Sequence, residues 1–348
     1  MKSIPVLSVV VCSYNGASKL AKCLEALDRQ TIRDSIEIIV VDDGSTDGTA
    51  SIARQFDVDV VVHEANCGLS MARNTGIRRS RAAIVAFTDD DCVPADNWLE
   101  SVLIEYRDQS VLGVGGTVAP LSTDGALLRY LEANNPLAPV EVERTVSSSV
   151  AYRAYLYMRR NAKAPKDDGR RSVYSLVGAN FSARRCVLDA IGLFDDRITF
   201  GGDEEDVCRR LRAHYPEGRL VYSPAAMVYH DYDPHVRDTL RRSYAYGKGS
   251  ARAFLKNPQQ FPTVFPLPVA VVALAAVGFW KRSAAGLACV LPLVAFPRWP
   301  LEAVRNRRIE FLGYSYIQLL QEASSDVGFA RSFAQLRSEY RDPIEVSR

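Results

Sequence analysis

The sequence predicts an α/β protein: a mostly parallel sheet flanked by helices, followed by a helical, hydrophobic C-terminal region. Three observations carry this. Over the first 120 residues, short apolar β-branched runs alternate with segments of helical spacing. Acidic and turn-forming residues gather at the carboxyl ends of those runs, where ligands sit in such sheets. From about residue 233 the composition turns basic and aromatic, then strongly apolar.

Residues 6–15 (VLSVVVCSYN) are a continuous β-branched run, expected for a strand covered on both faces. Residues 18–30 follow with helical spacing through Leu20, Leu24 and Leu27. A second buried strand, 36–49, ends in acids and turn formers, and 46–56 reads as a helix. Strand 58–64, helix 68–80, strand 82–91, helix 97–109 and strand 111–120 complete the alternation. Residues 121–172 are polar, with helical patches at 126–133 and 151–160 and a mobile loop at 161–172. Residues 173–196 read as strand, turn and short helix. Residues 201–218 read as a Gly-Gly turn feeding a helix closed by Pro and Gly. Residues 219–232 read as two short strands, and 237–256 as a basic, aromatic helix. This divides the chain into 1–232, itself split at 120/121, and 233–348.

Composition narrows the function classes. The 348 residues, 47% hydrophobic and 24% charged, suffice for one large domain or two ordinary ones and argue against general disorder. A formal net charge of +2 gives no case for nucleic acid. Cysteines 12, 23, 67, 92, 186, 208 and 289 lack CxxC spacing and are expected to be reduced thiols in a cytosolic setting. The opening apolar run reads as a buried strand rather than a signal peptide, because Asn-Gly follows it and no small-residue cleavage site does.

Residues 264–280 and 284–296 are apolar runs of 17 and 13 residues, divided by Lys281, Arg282 and Ser283. A spanning helix needs about 17–25 residues. Three arrangements stay open: a short membrane hairpin, a re-entrant or interface-lying pair, and a buried helical hairpin at a dimer contact. Basic residues on both sides, Arg241, Lys248, Arg298 and Arg308 among them, favour anionic head groups.

The chemistry-bearing residues cluster. Asp89, Asp90 and Asp91 stand in a row at a strand end, where like charges repel unless a cation sits among them. Asp89 and Asp91 suit a hard divalent cation, Mg²⁺ or Mn²⁺. Asp43, after the second strand, can accept hydrogen bonds from a base edge or a ribose. Gly68 opens a helix carrying Arg73 and Asn74, a natural seat for negative oxygen; the alternative is that Arg73 pairs with a nearby acid. Asp203, Glu204 and Asp206 open another helix. Asp206 can pair with Arg210 along the helix, while a neighbouring carboxylate can act as a general base. His230, at a strand end, can complete the metal site.

The ordered set SVVVCSYNG, VVDDGSTDGT, NCGLSMARNTG, FTDDDCVP and GGDEEDVCRRLR resembles the inverting nucleotide-sugar glycosyltransferases of family 2, over roughly residues 5–232. The resemblance implies a GT-A, Rossmann-like catalytic domain over 1–232, with 1–120 as the nucleotide-sugar half and 121–232 as the acceptor half. It implies that Tyr14 and Asp43 hold the nucleotide base, with Cys12 and Asn15 nearby, and that Arg73 faces the diphosphate. It implies that Asp89-Asp90-Asp91 is the DxD motif that binds Mg²⁺ or Mn²⁺ with the donor, with His230 in a comparable place to a metal-touching histidine. The family's Glu-Asp pair appears here as Asp203-Glu204, with the acids exchanged. The register puts Glu204 at the base position; a one-residue slip gives Asp203 or Glu205. The processive Gln-x-x-Arg-Trp motif is not seen, which implies single addition. The hydrophobic C-terminal region implies work at the cytoplasmic face of a membrane, on a saccharide, lipid-linked or other hydroxyl acceptor in glycan or glycolipid assembly. The expected activity is transfer from a nucleotide-sugar donor, UDP-linked by family habit. The alternatives are a nucleotidyltransferase and a non-catalytic nucleotide-sugar-binding subunit.

Overall fold

Every residue of β1 (Leu7–Ser13) is buried, which fits an apolar run with no polar alternation. A computed structural model of the protein describes residues 4–145, 147, 149–163, 169–198, 201–256 and 264–337. After β1 come α1 (Leu20–Asp28), β2 (Ile36–Asp42), α2 (Thr49–Ala53), β3 (Asp59–Val62) and α3 (Leu69–Arg79). Then follow β4 (Ile84–Asp89), β5 (Cys92–Pro94), α4 (Trp98–Glu105) and β6 (Val111–Pro120). Next are α5 (Ala126–Ala133), α6 (Val150–Ala162), β7 (Arg171–Ser172), β8 (Phe181–Arg184) and α7 (Arg185–Ala190). The chain continues through α8 (Asp203–His214), β9 (Arg219–His230), α9 (Val236–Lys256) and α10 (Pro266–Gly278). It closes with α11 (Arg282–Ala295), α12 (Arg298–Asn306) and α13 (Glu310–Leu336).

The strands form one sheet in the order β3-β2-β1-β4-β8-β6-β9-β5, with β7 beside β9. The parallel part is β3-β2-β1-β4 together with β6-β9; β8, β5 and β7 pair antiparallel to their neighbours. Two short strands were expected over 219–232. A single strand runs there instead, because its pairing with β6 absorbs irregularities after Val111 and Gly116. Of the loop expected at 161–172, residues 164–168 lie outside the described residues, and Arg171–Ser172 pair with β9 rather than moving freely.

Two compact units result. The first comprises Met1–Asp124, Asn134–Thr145 and Asp167–Tyr232 and contains the whole sheet. Its core joins Val10, Val41, Phe87 and Phe181 of the sheet to Ala72 and Ile77 of α3 and to Val207 and Leu211 of α8. Phe87 stacks on Phe181 at 5.5 Å, and Phe194 closes edge-on over both. The parallel strands deliver Ser13, Asp42 and Asp89 to one edge, in register.

The second unit comprises Gly125–Ala133, Val146–Lys166 and Asp233–Arg348. Residues 125–133 and 146–166, expected within the first domain, pack here instead: Arg129 forms an ion pair with Glu310, and Tyr157 donates to Glu322 at 2.7 Å. Both α5 and α6 are amphipathic and find partners among the later helices. No single helix among the described residues is long and apolar enough to cross a membrane. Helices α11 and α12 pass that test only as a pair, by length and composition, with a bend of 72° between them.

Candidate active site

Four strand ends and two helix starts build the site. After β1 the chain turns through Asn15, whose positive φ of 55° is one that asparagine tolerates. The Asn15 side-chain oxygen accepts from the Thr46 backbone N–H at 2.9 Å, tying the first turn to the second. Tyr14, expected near the base, stands half-exposed on this turn. Cys12, expected nearby, lies buried in the core cluster, and burial pushes its thiol well above the ordinary range. It is a neutral core side chain and offers no reactive thiolate to a donor.

Asp43 is 4% exposed and held from three sides. Its Oδ1 accepts from the Cys67 backbone N–H at 3.0 Å and pairs with His63 Nδ1 at 2.7 Å; its Oδ2 accepts from Gly68 N–H at 2.8 Å. His63 is fixed in turn through Nε2 by Thr75 at 3.0 Å. Sequence reasoning gave His63 no role. An imidazole directly after β3, the strand that pairs with acid-tipped β2, was the available signal. Gly68 contributes backbone to this floor and begins α3 with φ of 91°.

The DxD carboxylates separate. Asp89 and Asp91 remain partly open, and with Cys92 and His230 they place ligand-type atoms within 4.8 Å of one another. His230 Nε2 lies 3.3 Å from Asp91 Oδ1, and the Tyr232 ring stacks on the imidazole at 4.1 Å, fixing its plane. Cys92, missed in the sequence, reaches this group on the short strand β5, directly paired with His230 on β9. Its thiol is pushed up by burial and by Asp91 and Asp89, and soft sulfur suits a hard divalent cation less well than carboxylate oxygen. Two carboxylates and an imidazole with solvent access fit a divalent cation. Asp90 turns the other way and accepts from the Ser13 hydroxyl beneath Gly16. Burial, then the neighbouring acids, push its carboxyl up to about 7 against the pull of that hydrogen bond. The hydrogen bond ties Asp90 to the end of β1.

Arg73 also departs from expectation. It is 2% exposed, under the Phe194 ring, and has no open face for a diphosphate. Its guanidinium instead binds Asp203 through Nη1, Glu204 Oε1 through the same nitrogen at 3.1 Å, and approaches Asp89 Oδ1 at 3.6 Å through Nη2. These acids hold its charge firmly against the cost of burial. Asn74, likewise expected to touch the donor, spends its amide on the backbone N–H and carbonyl of Phe194, both at 2.9 Å. That clamp aims Arg73 at the first turn of α8.

Gly201 and Gly202 both take positive φ, 76° and 82°, and turn the chain into α8 as only glycine does cheaply. Asp206 pairs with Arg210 at 2.7 Å, as expected along the helix, and with Arg209 at 2.9 Å, but it does so as a buried residue. Asp203 is 1% exposed while the Glu204 side chain is 19% exposed. Burial, then the Glu204 charge, push the Asp203 carboxyl up to about 8. Glu204, despite its own desolvation, is held low by Arg73 and by a hydrogen bond from Asp203. The two carboxylates titrate as a coupled pair in which burial favours the proton on Asp203, and Glu204 is the more exposed member.

Gly178, in the turn before β8, makes room for this arrangement. A methyl group there would overlap Glu204 Oε1 and Arg73 Nη2. Gly178→Ala is expected to displace the Glu204 carboxylate and lower turnover by about a hundredfold. Steady-state kinetics would check it; unchanged kcat would show that Glu204 need not sit where it does.

Residues 8–183 match Glycosyl transferase family 2. The match takes in Asp43, Arg73 and Asp89–Asp91 but ends before α8 and His230, so those assignments rest on the geometry above. Glycosyltransferase AglE of Haloferax volcanii is 29% identical over 80% of this chain and 83% of its own length. The pre-mycofactocin glycosyltransferase of Mycobacterium tuberculosis is 30% identical over 73% of this chain, which spans only 48% of that protein. Among solved structures, the mannosyltransferase PcManGT of Pyrobaculum calidifontis superposes with a TM-score of 0.57 at 18% identity, over 94% of this chain and 88% of its own, a likeness of fold. With over half of its length matched by the family and the acid-tipped α/β sheet described above, the chain belongs to glycosyltransferase family 2 and is a glycosyltransferase.

Proposed function

We propose that the protein moves a sugar from a nucleoside-diphosphate donor to an acceptor hydroxyl, with inversion, one addition at a time, at a membrane surface. One observation carries the reading: a single guanidinium, Arg73, touches both the base candidate Glu204 and the metal-ligand candidate Asp89. This contact supports a reading in which acceptor activation and departure of the diphosphate occur on either side of one fixed group.

Glu204 takes the proton from the acceptor hydroxyl, and the resulting oxygen attacks the anomeric carbon from the face opposite the leaving group. Burial favours the protonated form of Asp203, and the Arg73 guanidinium favours the ionised form of Glu204. Asp43 keeps one acceptor position on Oδ2 for a base edge, and half-exposed Tyr14 offers a ring for the base to lie against. Asp89, Asp91 and His230 would hold a divalent cation, which supplies charge stabilisation to the diphosphate as it leaves. An imidazole beside the carboxylates favours Mn²⁺ over the harder Mg²⁺. PcManGT was solved with GDP-Man and Mn²⁺, which agrees with this donor class. Family membership favours a sugar transferase over a nucleotidyltransferase or a non-catalytic subunit.

A thermal-shift screen of UDP- and GDP-sugars with and without Mn²⁺ tests the proposal. Donor at about a hundredfold excess over its Kd is expected to stabilise by about 2.7 kcal/mol, chiefly when Mn²⁺ is present. Asp91→Asn should remove the Mn²⁺-dependent part. An equal shift with and without Mn²⁺ in both proteins would refute the metal role; no shift with any nucleotide sugar would refute the donor class.

A further inference from the structure

Helix α10 (PLPVAVVALAAVG) has no polar residue, yet only Leu267 and Pro268 of it are buried. An all-apolar helix belongs in a protein core or in hydrocarbon, and here most of it faces outward. Helix α11 continues the pattern after Arg282 and Ser283, with Leu287, Val290 and Val294 exposed. Between them stand Phe279 and Trp280, the latter 84% exposed, followed by Lys281 and Arg282. Beyond α11, Leu301, Val304 and Ile309 are also exposed. Over residues 264–309 the basic residues are Lys281, Arg282, Arg298, Arg305, Arg307 and Arg308, against one acid, Glu302.

We propose that α10, α11 and the exposed side of α12 form a docking face for an anionic lipid surface, with the Phe279–Arg282 turn lying at head-group depth. This rests on the membrane-surface part of the function proposed above and not on its chemistry. Length and charge select the arrangement. Helices of 13 and 14 residues reach about 20 Å at about 1.5 Å per residue, short of a hydrocarbon core of about 30 Å. Insertion tip-first would strand Lys281 and Arg282 in hydrocarbon, where cations are strongly disfavoured. Lying in the interface instead lets the apolar faces sink while Lys281, Arg282, Arg305 and Arg308 meet phosphate groups, and puts Trp280 where its ring prefers to be. Helix α12 cannot extend α11 into a span. Its Arg298 donates to the Ala133 carbonyl at 2.7 Å, and its Trp299 is buried between Tyr130 and Tyr314.

Tryptophan fluorescence provides the test on the full chain. Trp98 and Trp299 are 0% and 1% exposed, so the lipid-sensitive signal belongs to Trp280. Detergent-diluted protein is mixed, without donor or acceptor, with phosphatidylcholine vesicles containing one-third phosphatidylglycerol. It is expected to co-float with them, bind pure phosphatidylcholine less well, and be quenched more by bromines near the head groups than by those near the chain ends. Phe279→Ser with Trp280→Ser should weaken flotation by about tenfold or more, since burying even one aromatic ring is worth a decade in partitioning. Lys281→Gln with Arg282→Gln should reduce only the preference for anionic vesicles. Absence of flotation, or self-association through this face with no vesicle binding, overturns the proposal; stronger quenching from the bilayer centre overturns the shallow placement. Because no sugar chemistry is read, failure here leaves the transferase reading standing, and failure of donor binding leaves this result standing.

Discussion

Glu204→Gln is expected to lower sugar transfer by about 10²–10⁴-fold, the usual range for loss of a general base, with donor binding retained. Gln keeps the length and the contact with Arg73 but cannot take a proton. Asp203→Asn is expected to cost far less. Asp203 is buried and already protonated near neutral pH, so the amide resembles the state it replaces. Single-turnover rates for the two variants decide the assignment: a large loss in Asp203→Asn with near-normal Glu204→Gln would hand the role to Asp203. The same pair predicts a pH effect on stability. An Asp203 carboxyl raised from 3.8 to about 8 stays protonated in the folded state while the unfolded chain ionises it. Its contribution is complete below about pH 4 and is lost as pH rises toward about 8. Glu204, lowered instead, changes stability only below its ordinary range near 4.5. Melting temperatures of the wild type should therefore fall relative to Asp203→Asn between about pH 5 and pH 8. A constant difference across that window would contradict the proton placement.

The second large effect is on stability. Arg73→Met is expected to cost about 3–5 kcal/mol, the range for removing one partner of a buried ion pair. The residue is buried, offsets the charge of Glu204 and part of that of Asp89, and hydrogen-bonds Asp203. Methionine fills similar volume but leaves those carboxylates desolvated and facing one another. Urea unfolding gives the number directly. Adding Asp203→Asn and Glu204→Gln to Arg73→Met should restore much of the loss, because no uncompensated charge is left behind. If Arg73→Met alone changes stability by under about 1 kcal/mol, the guanidinium is not the hub that the ion pairs suggest.

Much of this site could be read in the sequence because strand ends announce themselves. A β-branched run followed by acids marks both the element and its ligand-bearing edge, so Asp43, Asp89 and Asp91 were found without coordinates. Asp206 with Arg210 was equally visible, since four-residue spacing on a helix is a local rule. Long-range partners were not. Arg73 meets Asp203 across 130 residues, and it is held inward by contacts with Asp203, Glu204 and Phe194, all far away in the chain. The functional choice between two adjacent carboxylates had the same character: Asp203 and Glu204 differ in depth and in proton affinity, and neither property is written in their order.

Local propensity and periodicity, acting within a few residues, set the α/β class, the acid-tipped strand ends and the Gly-Gly start of α8. Which acids stay open, which thiols and arginines are buried, and the packing of α5 and α6 with the C-terminal helices emerge from the folded chain. Those outcomes depend on desolvation and on contacts between distant segments, and neither exists until the chain has folded.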